Sequence, residues 1–383
     1  MRALYYALVA GAAACLAQPP PGCPNGGVRN VAWNASAAAA WEARPLQNTS
    51  RTGRPLRLLE PPDGTCLHGA GQDPYDFANY AAFMSNSSAP SPLTPPLLFM
   101  SYVQLSSLNT TSGVPGFFTS LNASLACYGD GGDGVFMLPQ LGVAMTLDDG
   151  DGKTPPYDDK VASGQYDYAI AQLVLGLKAL GGRPLLMRIG YEFNGKWNSY
   201  GNQTFILSWQ RIHAAVRADA SLANVAFVWD YSCDEPDNPW SRFEMNDTQI
   251  DWFGVNIFSN SSSPASSEST ACLRPFLDFA RARGFPVIVA ESTPRYVGAA
   301  AANGAWAKWF APLIDLVSEY DDVLKAWCYI NWNWAQFPQW GNWDDARIEI
   351  PGAVGSQVRA ALGAENFVHA MPAQAVLRAV GQA

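Results

Sequence analysis

The chain has 383 residues, of which 48% are hydrophobic and 15% are charged, and 33 Asp and Glu outweigh 24 Lys and Arg to give a net charge of −9. This hydrophobic content excludes a disordered chain or a coiled coil, and an acidic chain without a basic cluster excludes a typical nucleic-acid partner. The length allows one large domain or two ordinary ones, and an α/β barrel commonly takes about 250 residues. The chain also contains 14 Trp.

The first 17 residues have the pattern of a secretory signal peptide. Arg2 precedes an apolar run from Leu4 to Leu16, which is too short to cross a bilayer. We therefore expect a secreted monomer without a membrane anchor after the signal is removed. Eight Asn-x-Ser/Thr sequons favour the same route and predict a glycoprotein; they begin at Asn34, Asn48, Asn86, Asn109, Asn122, Asn202, Asn246 and Asn260.

Removal of the signal would leave six of the seven cysteines, enough for up to three disulfides. We expect Cys23–Cys66 to tie an N-terminal arm to the core and Cys233–Cys272 to join two loops. Cys328 lies in an apolar strand pattern and is expected to be a buried free thiol. The cysteine spacing does not indicate a zinc site.

Beyond the signal, residues 18–62 have little periodicity and predict an arm packed on the domain. Residues 63–350 alternate short apolar runs with helical patterns, and residues 351–383 predict a helical tail. A less certain first strand precedes His68, and seven further strands are predicted at Leu97–Val103, Gly134–Met145, Pro184–Ile189, Asn224–Trp229, Trp252–Phe258, Pro286–Ala290 and Val323–Ile330. Helices are predicted at Tyr166–Leu180, Phe205–Ala218, Leu273–Ala282 and Ala305–Val317.

This alternation predicts a (β/α)₈ TIM barrel as a single catalytic domain. A doubly wound open sheet is the alternative, but no Gly-rich phosphate loop follows the early strands.

Two glutamates come directly after predicted strands, where a parallel barrel collects its functional side chains. Glu192 follows Pro184–Ile189, and Glu291 follows Pro286–Ala290. A single such glutamate would more often cap a helix or form an ion pair. Two at corresponding positions among aromatic residues match glycoside hydrolysis, which needs one carboxyl as acid and another as base or nucleophile. An apolar setting would keep one of them protonated.

The segment from Arg188 to Trp197, RIGYEFNGKW, resembles the acid/base motif of family-26 glycoside hydrolases, the β-mannanase family, and PVIVAE, ending at Glu291, is similar to its nucleophile strand. The likeness covers about residues 66–345. It implies a retaining, endo-acting clan A enzyme with Glu192 as general acid/base after the fourth strand and Glu291 as nucleophile after the seventh. It further implies a polysaccharide substrate, with β-mannan favoured, and no cofactor.

Two positions depart from the family pattern. Tyr191 stands where the family has His before the acid/base, and Phe258 stands where it has a strand-6 Tyr. These departures make a sister family credible, with β-1,3-glucan, β-1,3-xylan or mixed-linkage glucan as the substrate. The alternative from another class is a non-catalytic carbohydrate-binding protein on a glycosidase-like barrel.

Other side chains near the two glutamates are candidates for substrate binding. Arg188 is implied to pack near the nucleophile, with a structural ion pair as the alternative. Aromatic planes stack on sugar rings, and five Trp crowd residues 327–343, where some must belong to the core. A solvent-exposed loop is the alternative for His68. The predicted substrate-binding set is Arg188, Tyr191, Asn194, Trp197, Phe258, Trp332, Trp334 and His68.

A metal site and a serine hydrolase are both disfavoured. The acidic loop at residues 148–151 lacks the glutamate that an EF-hand needs at its twelfth position, so a solvated turn is the preferred interpretation. Only three His are present, and no Gly-x-Ser-x-Gly motif occurs.

Overall fold

The computed structural model describes residues 39, 42–43 and 47–382, apart from 73, 87, 90–91, 109–112, 129–134, 148–154, 259–271 and 365. The predicted signal peptide and most of the predicted arm lie outside the described residues, as does the acidic loop at 148–151. The domain boundaries stay predictions.

Eight parallel strands form the centre of the molecule, and the last pairs with the first to close a barrel. The (β/α)₈ fold expected from the sequence is confirmed. The strands are β1 Cys66–Gly71, β2 Leu98–Gln104, β3 Leu138–Ala144, β4 Leu185–Ile189, β5 Val225–Ser232, β6 Trp252–Phe258, β7 Val287–Thr293 and β8 Leu324–Ile330.

Helices surround the barrel and include the four that were predicted. They are α1 Pro74–Met84, α2 Gly116–Tyr128, α3 Asp158–Ala162, α4 Asp167–Ala179, α5 Asn202–Arg217, α6 Leu273–Arg283, α7 Ala311–Glu319, α8 Gly355–Leu362 and α9 Ala373–Ala379. A π-helical turn at Trp306–Phe310 precedes α7. Within the described part of the chain, no helix has the length and apolarity needed to span a membrane.

The strands read as unbroken apolar runs because both of their faces are buried. In β5, Phe227 and Trp229 point outward and pack in the layer between strands and helices, whereas Ala226 and Val228 point into the barrel. The same alternation brings the polar residues at the carboxyl end of β4, β5 and β6 to the barrel interior, since side chains two residues apart share a face. Trp209, in the helix that follows the fourth strand, is fully buried.

Two of the three cysteine predictions are confirmed. Cys233 and Cys272 form a disulfide, and Cys328 is a buried free thiol. The predicted Cys23–Cys66 bond is wrong because Cys66 is a free thiol at the start of β1, where it is buried in the layer under the helices. Burial raises the pKa of the Cys66 thiol. Cys23 lies outside the described residues.

Part of the predicted arm is described and contacts the amino-terminal end of the barrel. Arg57 donates hydrogen bonds to the carbonyls of Ile250 and Gly284, which precede β6 and β7. The carbonyl of Leu58 accepts a 2.7 Å hydrogen bond from the indole of Trp252. This segment therefore lies at the end of the barrel opposite the carboxyl ends of the strands.

Candidate active site

Glu192 lies in the tight turn that follows β4. It has a left-handed φ of 52°, which is uncommon for a residue with a side chain and is typical of functional turns. The side-chain amide of Asn198 fixes this turn by donating to the carbonyls of Tyr191 at 2.9 Å and Glu192 at 3.1 Å. The Glu192 side chain is thereby held at the carboxyl end of the barrel, where it is 9% exposed.

Glu291 lies within β7, and a β-bulge sets its direction. Val255 of β6 pairs with Val289, but the next residue, Asn256, pairs with Glu291, so Ala290 is an extra residue in β7. Ala290 belongs to the interior cluster of the barrel. A regular strand would turn the following side chain outward, and the bulge instead turns Glu291 toward the interior.

A side chain from across the barrel holds this bulge. The amide Nε2 of Gln140, in β3, donates a 3.0 Å hydrogen bond to the carbonyl of Ala290. Gln140 is completely buried. A bulge disrupts the regular ladder, and this bond satisfies one of the backbone groups that the bulge involves.

Arg188, the fourth residue of β4, connects two carboxylates inside the barrel. Its Nη1 donates to Oε1 of Glu291 at 2.6 Å and to Oδ2 of Asp230 in β5 at 2.9 Å. Both carboxyl groups are buried. A Cβ at Gly254, in β6, would lie 2.5 Å from Oδ1 of Asp230, so this strand needs glycine there. The implied position of Arg188 beside Glu291 is what the structure shows.

The predicted substrate contact of Arg188 is corrected, because its side chain has no exposed surface. Its guanidinium lies 4.9 Å from the ring centre of Tyr191 and 5.3 Å from that of Tyr102, in β2. These two rings meet edge to face at 5.5 Å. Arg188 therefore orients Glu291 from beneath the site.

The two glutamates have different electrostatic surroundings. Burial raises the pKa of Glu192 well above its ordinary range, and the charge of Glu291 raises it further. The indole Nε1 of Trp197 opposes this rise by donating a 2.7 Å hydrogen bond to Oε2 of Glu192. Glu291 instead accepts a charge-assisted hydrogen bond from Arg188. Burial and the neighbouring charge thus favour a proton on Glu192, whereas Glu291 is paired with a guanidinium.

Asp230 completes the charged cluster. Burial raises its pKa to about 7, and the nearby charge of Glu291 adds to this rise while Arg188 opposes it. Glu291 and Asp230 therefore share one guanidinium, and the charges of both act on the nearby carboxyl of Glu192, which favours retention of a proton by the cluster.

The three tryptophans predicted to bind substrate differ in how far their side chains are exposed. Trp197 and Trp332 are half-buried at the carboxyl end of the barrel, and Trp332 stacks on Phe337 with ring centres 4.5 Å apart. Trp334 is 4% exposed and donates from its indole to the hydroxyl of Thr293 at 3.1 Å. The structure therefore leaves Trp332 available as a sugar platform and assigns Trp334 to packing, which corrects its predicted substrate contact.

Phe258, at the end of β6, is 8% exposed and packs against Trp343 with ring centres 5.4 Å apart. Tyr191 is partly exposed beside Glu192. Both remain candidates for contact with substrate.

Two further predictions of substrate contact are wrong. His68 is buried in β1 and lies in the layer under the helices, where it hydrogen-bonds Tyr80 at 2.8 Å and His369 at 2.9 Å. Burial lowers its pKa well below the ordinary histidine value. Asn194 is also fully buried, and its side chain joins the turn after β4 to the backbone of Ser232 at 2.8 and 2.9 Å.

Sequence reasoning missed four polar residues of the barrel interior. A signal for them exists, because each interrupts an apolar strand at an inward-facing position. They are Tyr102, Gln140, Asp230 and Asn256. Among the described residues, no cluster of His, Cys, Asp and Glu has the arrangement of a metal site.

Comparison with known sequences gives two relatives. The chain is 25% identical to a β-1,3-xylanase from Alcaligenes sp. over 234 residues, which cover 55% of this chain and 49% of that protein. It is 24% identical to a β-1,3-xylanase from Vibrio sp. over 233 residues, with 54% and 49% covered. The chain thus spans about half the length of these relatives. No family model matches.

Solved structures with the same fold are family-26 glycoside hydrolases. One from Muricauda sp. covers 89% of this chain and 91% of its own, with a TM-score of 0.56 and 13% identity. The β-mannanase from Bacteroides ovatus covers 87% and 93%, with a TM-score of 0.52 and 13% identity. An endo-β-1,4-mannanase from Bacillus sp. JAMB-750 has a TM-score of 0.54 at 10% identity over 85% of this chain and 96% of its own. At these identities the likeness establishes the fold, and it agrees with the resemblance of the Glu192 motif.

Proposed function

We propose that the chain is a retaining, endo-acting β-glycanase that cleaves an extracellular polysaccharide by double displacement. The observation that carries the proposal is the pair of buried carboxyls at the ends of β4 and β7, which the protein surrounds differently. Glu192 has a raised pKa and serves as the acid, whereas Glu291 is bound to Arg188 and serves as the nucleophile.

In the first step, Glu192 gives its proton to the glycosidic oxygen while a carboxylate oxygen of Glu291 forms a bond to the anomeric carbon, and the bond to the leaving sugar breaks. The resulting ester removes the negative charge of Glu291, which is the second-largest cause of the raised pKa of Glu192. Loss of this charge lowers the pKa of Glu192, so its side chain remains ionised after it has given up the proton. It then removes a proton from water, whose oxygen attacks the anomeric carbon and releases Glu291.

The first substrate to test is β-1,3-xylan. The two relatives matched in sequence are β-1,3-xylanases, whereas the likeness to β-mannanases is one of fold. Tyr191 and Phe258 also replace residues of the β-mannanase pattern. β-Mannan, β-1,3-glucan and mixed-linkage glucan therefore rank behind β-1,3-xylan.

We also propose that the protein is secreted and glycosylated. The apolar run from Leu4 to Leu16 and the eight sequons support this route. The five sequon asparagines that the structure describes are all exposed, as attachment of a glycan requires: Asn48, Asn86, Asn122, Asn202 and Asn246.

The test measures release of reducing ends from β-1,3-xylan, β-mannan, β-1,3-glucan and mixed-linkage glucan. Glu192→Gln and Glu291→Gln should each lose at least about 1000-fold in kcat. Glu319→Gln is the matched control, since Glu319 is half-exposed on the outer surface and pairs with Arg274. Wild-type protein that binds one of these polymers without cleaving any would instead identify a carbohydrate-binding protein.

Azide separates the two roles of the glutamates. Azide should restore turnover of an activated aryl glycoside to Glu192→Ala with a β-glycosyl azide as the product, because the covalent intermediate still forms. With Glu291→Ala the same reagent should give the α-glycosyl azide by direct displacement. The opposite assignment of products would exchange the two roles, and inverted anomeric configuration in the wild-type product would refute double displacement.

A further inference from the structure

Asn256 is a completely buried amide between the two glutamates that the proposed mechanism does not use. It pairs with Glu291 across the β6–β7 ladder. Its side chain also lies near the carboxyl of Glu192 and opposes the raised pKa of that group, although the contact falls outside normal hydrogen-bond geometry. Asn256 shares the inward-facing register of Trp252 in β6, so its amide is directed into the barrel at the level of both carboxyls.

Both polar atoms of this side chain lack a partner at normal hydrogen-bond geometry among the described residues. Both Nδ2 and Oδ1 of Asn256 are buried without a hydrogen bond to any residue in the described part of the chain. A buried amide without partners destabilises a folded protein, so its presence between the two glutamates calls for an explanation, and a bound ligand is one. By contrast Asn331, equally buried after β8, donates to Glu349 at 2.9 Å and accepts from the amide of Ile348 at 3.0 Å.

The donor and the acceptor of this amide indicate which group of the sugar it can bind. The anomeric carbon that Glu291 attacks has two neighbours in the sugar ring, which are the ring oxygen and C2. The ring oxygen accepts only, and it loses electron density as positive charge develops in the transition state. The C2 hydroxyl both donates and accepts, and an amide with a free donor and a free acceptor is complementary to it.

We propose that Asn256 binds the C2 hydroxyl of the sugar whose glycosidic bond is cleaved, and that it makes the site sensitive to the presence and configuration of that hydroxyl. This inference rests on the proposed function. A site built to hydrogen-bond a hydroxyl discriminates strongly against an analogue that lacks it, because the buried polar groups are then left unpaired.

The experiment compares two probes with wild type and Asn256→Ala. One is the 4-nitrophenyl glycoside of the β-1,3-linked xylose disaccharide, and the other lacks the C2 hydroxyl on the sugar next to nitrophenol. We expect Asn256→Ala to lower kcat/KM by about 100-fold or more on the first probe and by less than about 3-fold on the second. The loss should fall mainly on kcat, because these hydrogen bonds strengthen in the transition state.

A stability measurement excludes a structural explanation. Asn256→Leu, which removes an unpaired amide at similar volume, should raise the melting temperature by about 1–3 °C, whereas the matched variant Asn331→Leu should lower it. Equal activity losses on both probes, or a lower melting temperature in Asn256→Leu, would overturn the role of Asn256 while the glycanase activity stands. Wild-type protein that cleaves neither probe would instead remove the proposed function on this substrate, and the inference with it.

Discussion

If Glu192 is the general acid, as proposed, Trp197 should control the range of pH over which it acts. Its indole Nε1 donates a 2.7 Å hydrogen bond to Oε2 of Glu192, which favours the ionised carboxylate. Trp197→Phe keeps an aromatic ring at this position and removes only the donor. The pKa of Glu192, which burial and the charge of Glu291 already raise, should therefore rise further.

The size of this effect follows from the energy of one hydrogen bond to a charged group, about 1.5–3 kcal/mol when the pair is buried. Trp197 is half-buried, so the lower end of this range applies. Since 1.36 kcal/mol corresponds to one unit on the pH scale, the alkaline limb of the activity profile should move up by about one pH unit. The sign is upward because the general acid must be protonated to act, and the variant holds its proton to higher pH.

The assay is the pH dependence of kcat/KM on an oligosaccharide, whose poor leaving group requires protonation by the acid, and kcat/KM reports the free enzyme. Loss of substrate stacking by Trp197→Phe would lower kcat/KM at every pH without moving the limb. An alkaline limb that stays in place, or moves to lower pH, would refute the assignment of Glu192 as the acid that this indole tunes. Glu192→Gln serves as the control, because the limb should be absent from its residual activity.

The remaining predictions concern the supports of the site. Gln140→Leu should lower kcat by about 10-fold with little change in KM, because the carbonyl of the β7 bulge loses its 3.0 Å partner; an unchanged kcat would show that the bulge needs no such bond. Cys233→Ser opens a bond that spans 39 residues and should lower the free energy of unfolding in urea, measured without reductant, by about 3–4 kcal/mol; an unchanged free energy would show that this bond adds no stability. Trp334→Ala should cost about 3–5 kcal/mol of stability because its ring is buried, whereas Trp332→Ala should mainly raise KM on polysaccharide; the reverse pattern would exchange their roles.

The barrel could be predicted because its strands are buried on both faces and its helices on one. The apolar residues of strands form continuous runs, whereas those of helices recur every three to four residues, so the two can be told apart in the sequence. The end of each strand then indicates which side chains lie at the carboxyl end of the barrel. Glu192 and Glu291 were found in this way. His68 was misplaced because an uncertain boundary for β1 put it in a loop after the strand, whereas β1 continues to Gly71 and carries His68 outward.

The rest of the site depends on contacts between strands that are distant in sequence. Arg188 connects β4 to β5 and β7, and Gln140 reaches β7 from β3, and neither partner can be read from local spacing. The bulge at Ala290 is equally hidden, because strict alternation would direct Glu291 outward. Asp230 comes directly after the predicted strand Asn224–Trp229, Asn256 lies within the predicted apolar strand Trp252–Phe258, and only closure of the barrel brings them beside the glutamates.

The cluster of Glu192, Glu291 and Asp230 around Arg188 also limits which polymers the site accepts. Glu291 alone balances the charge of the guanidinium, so ionisation of either Asp230 or Glu192 makes the pocket negative inside a medium of low dielectric constant. A sugar that becomes positively charged during bond cleavage is attracted there, whereas a uronic acid brings a second negative charge and is repelled. Polymers whose cleaved units carry carboxylates, such as glucuronans and alginates, should therefore be excluded by charge before any difference in shape matters.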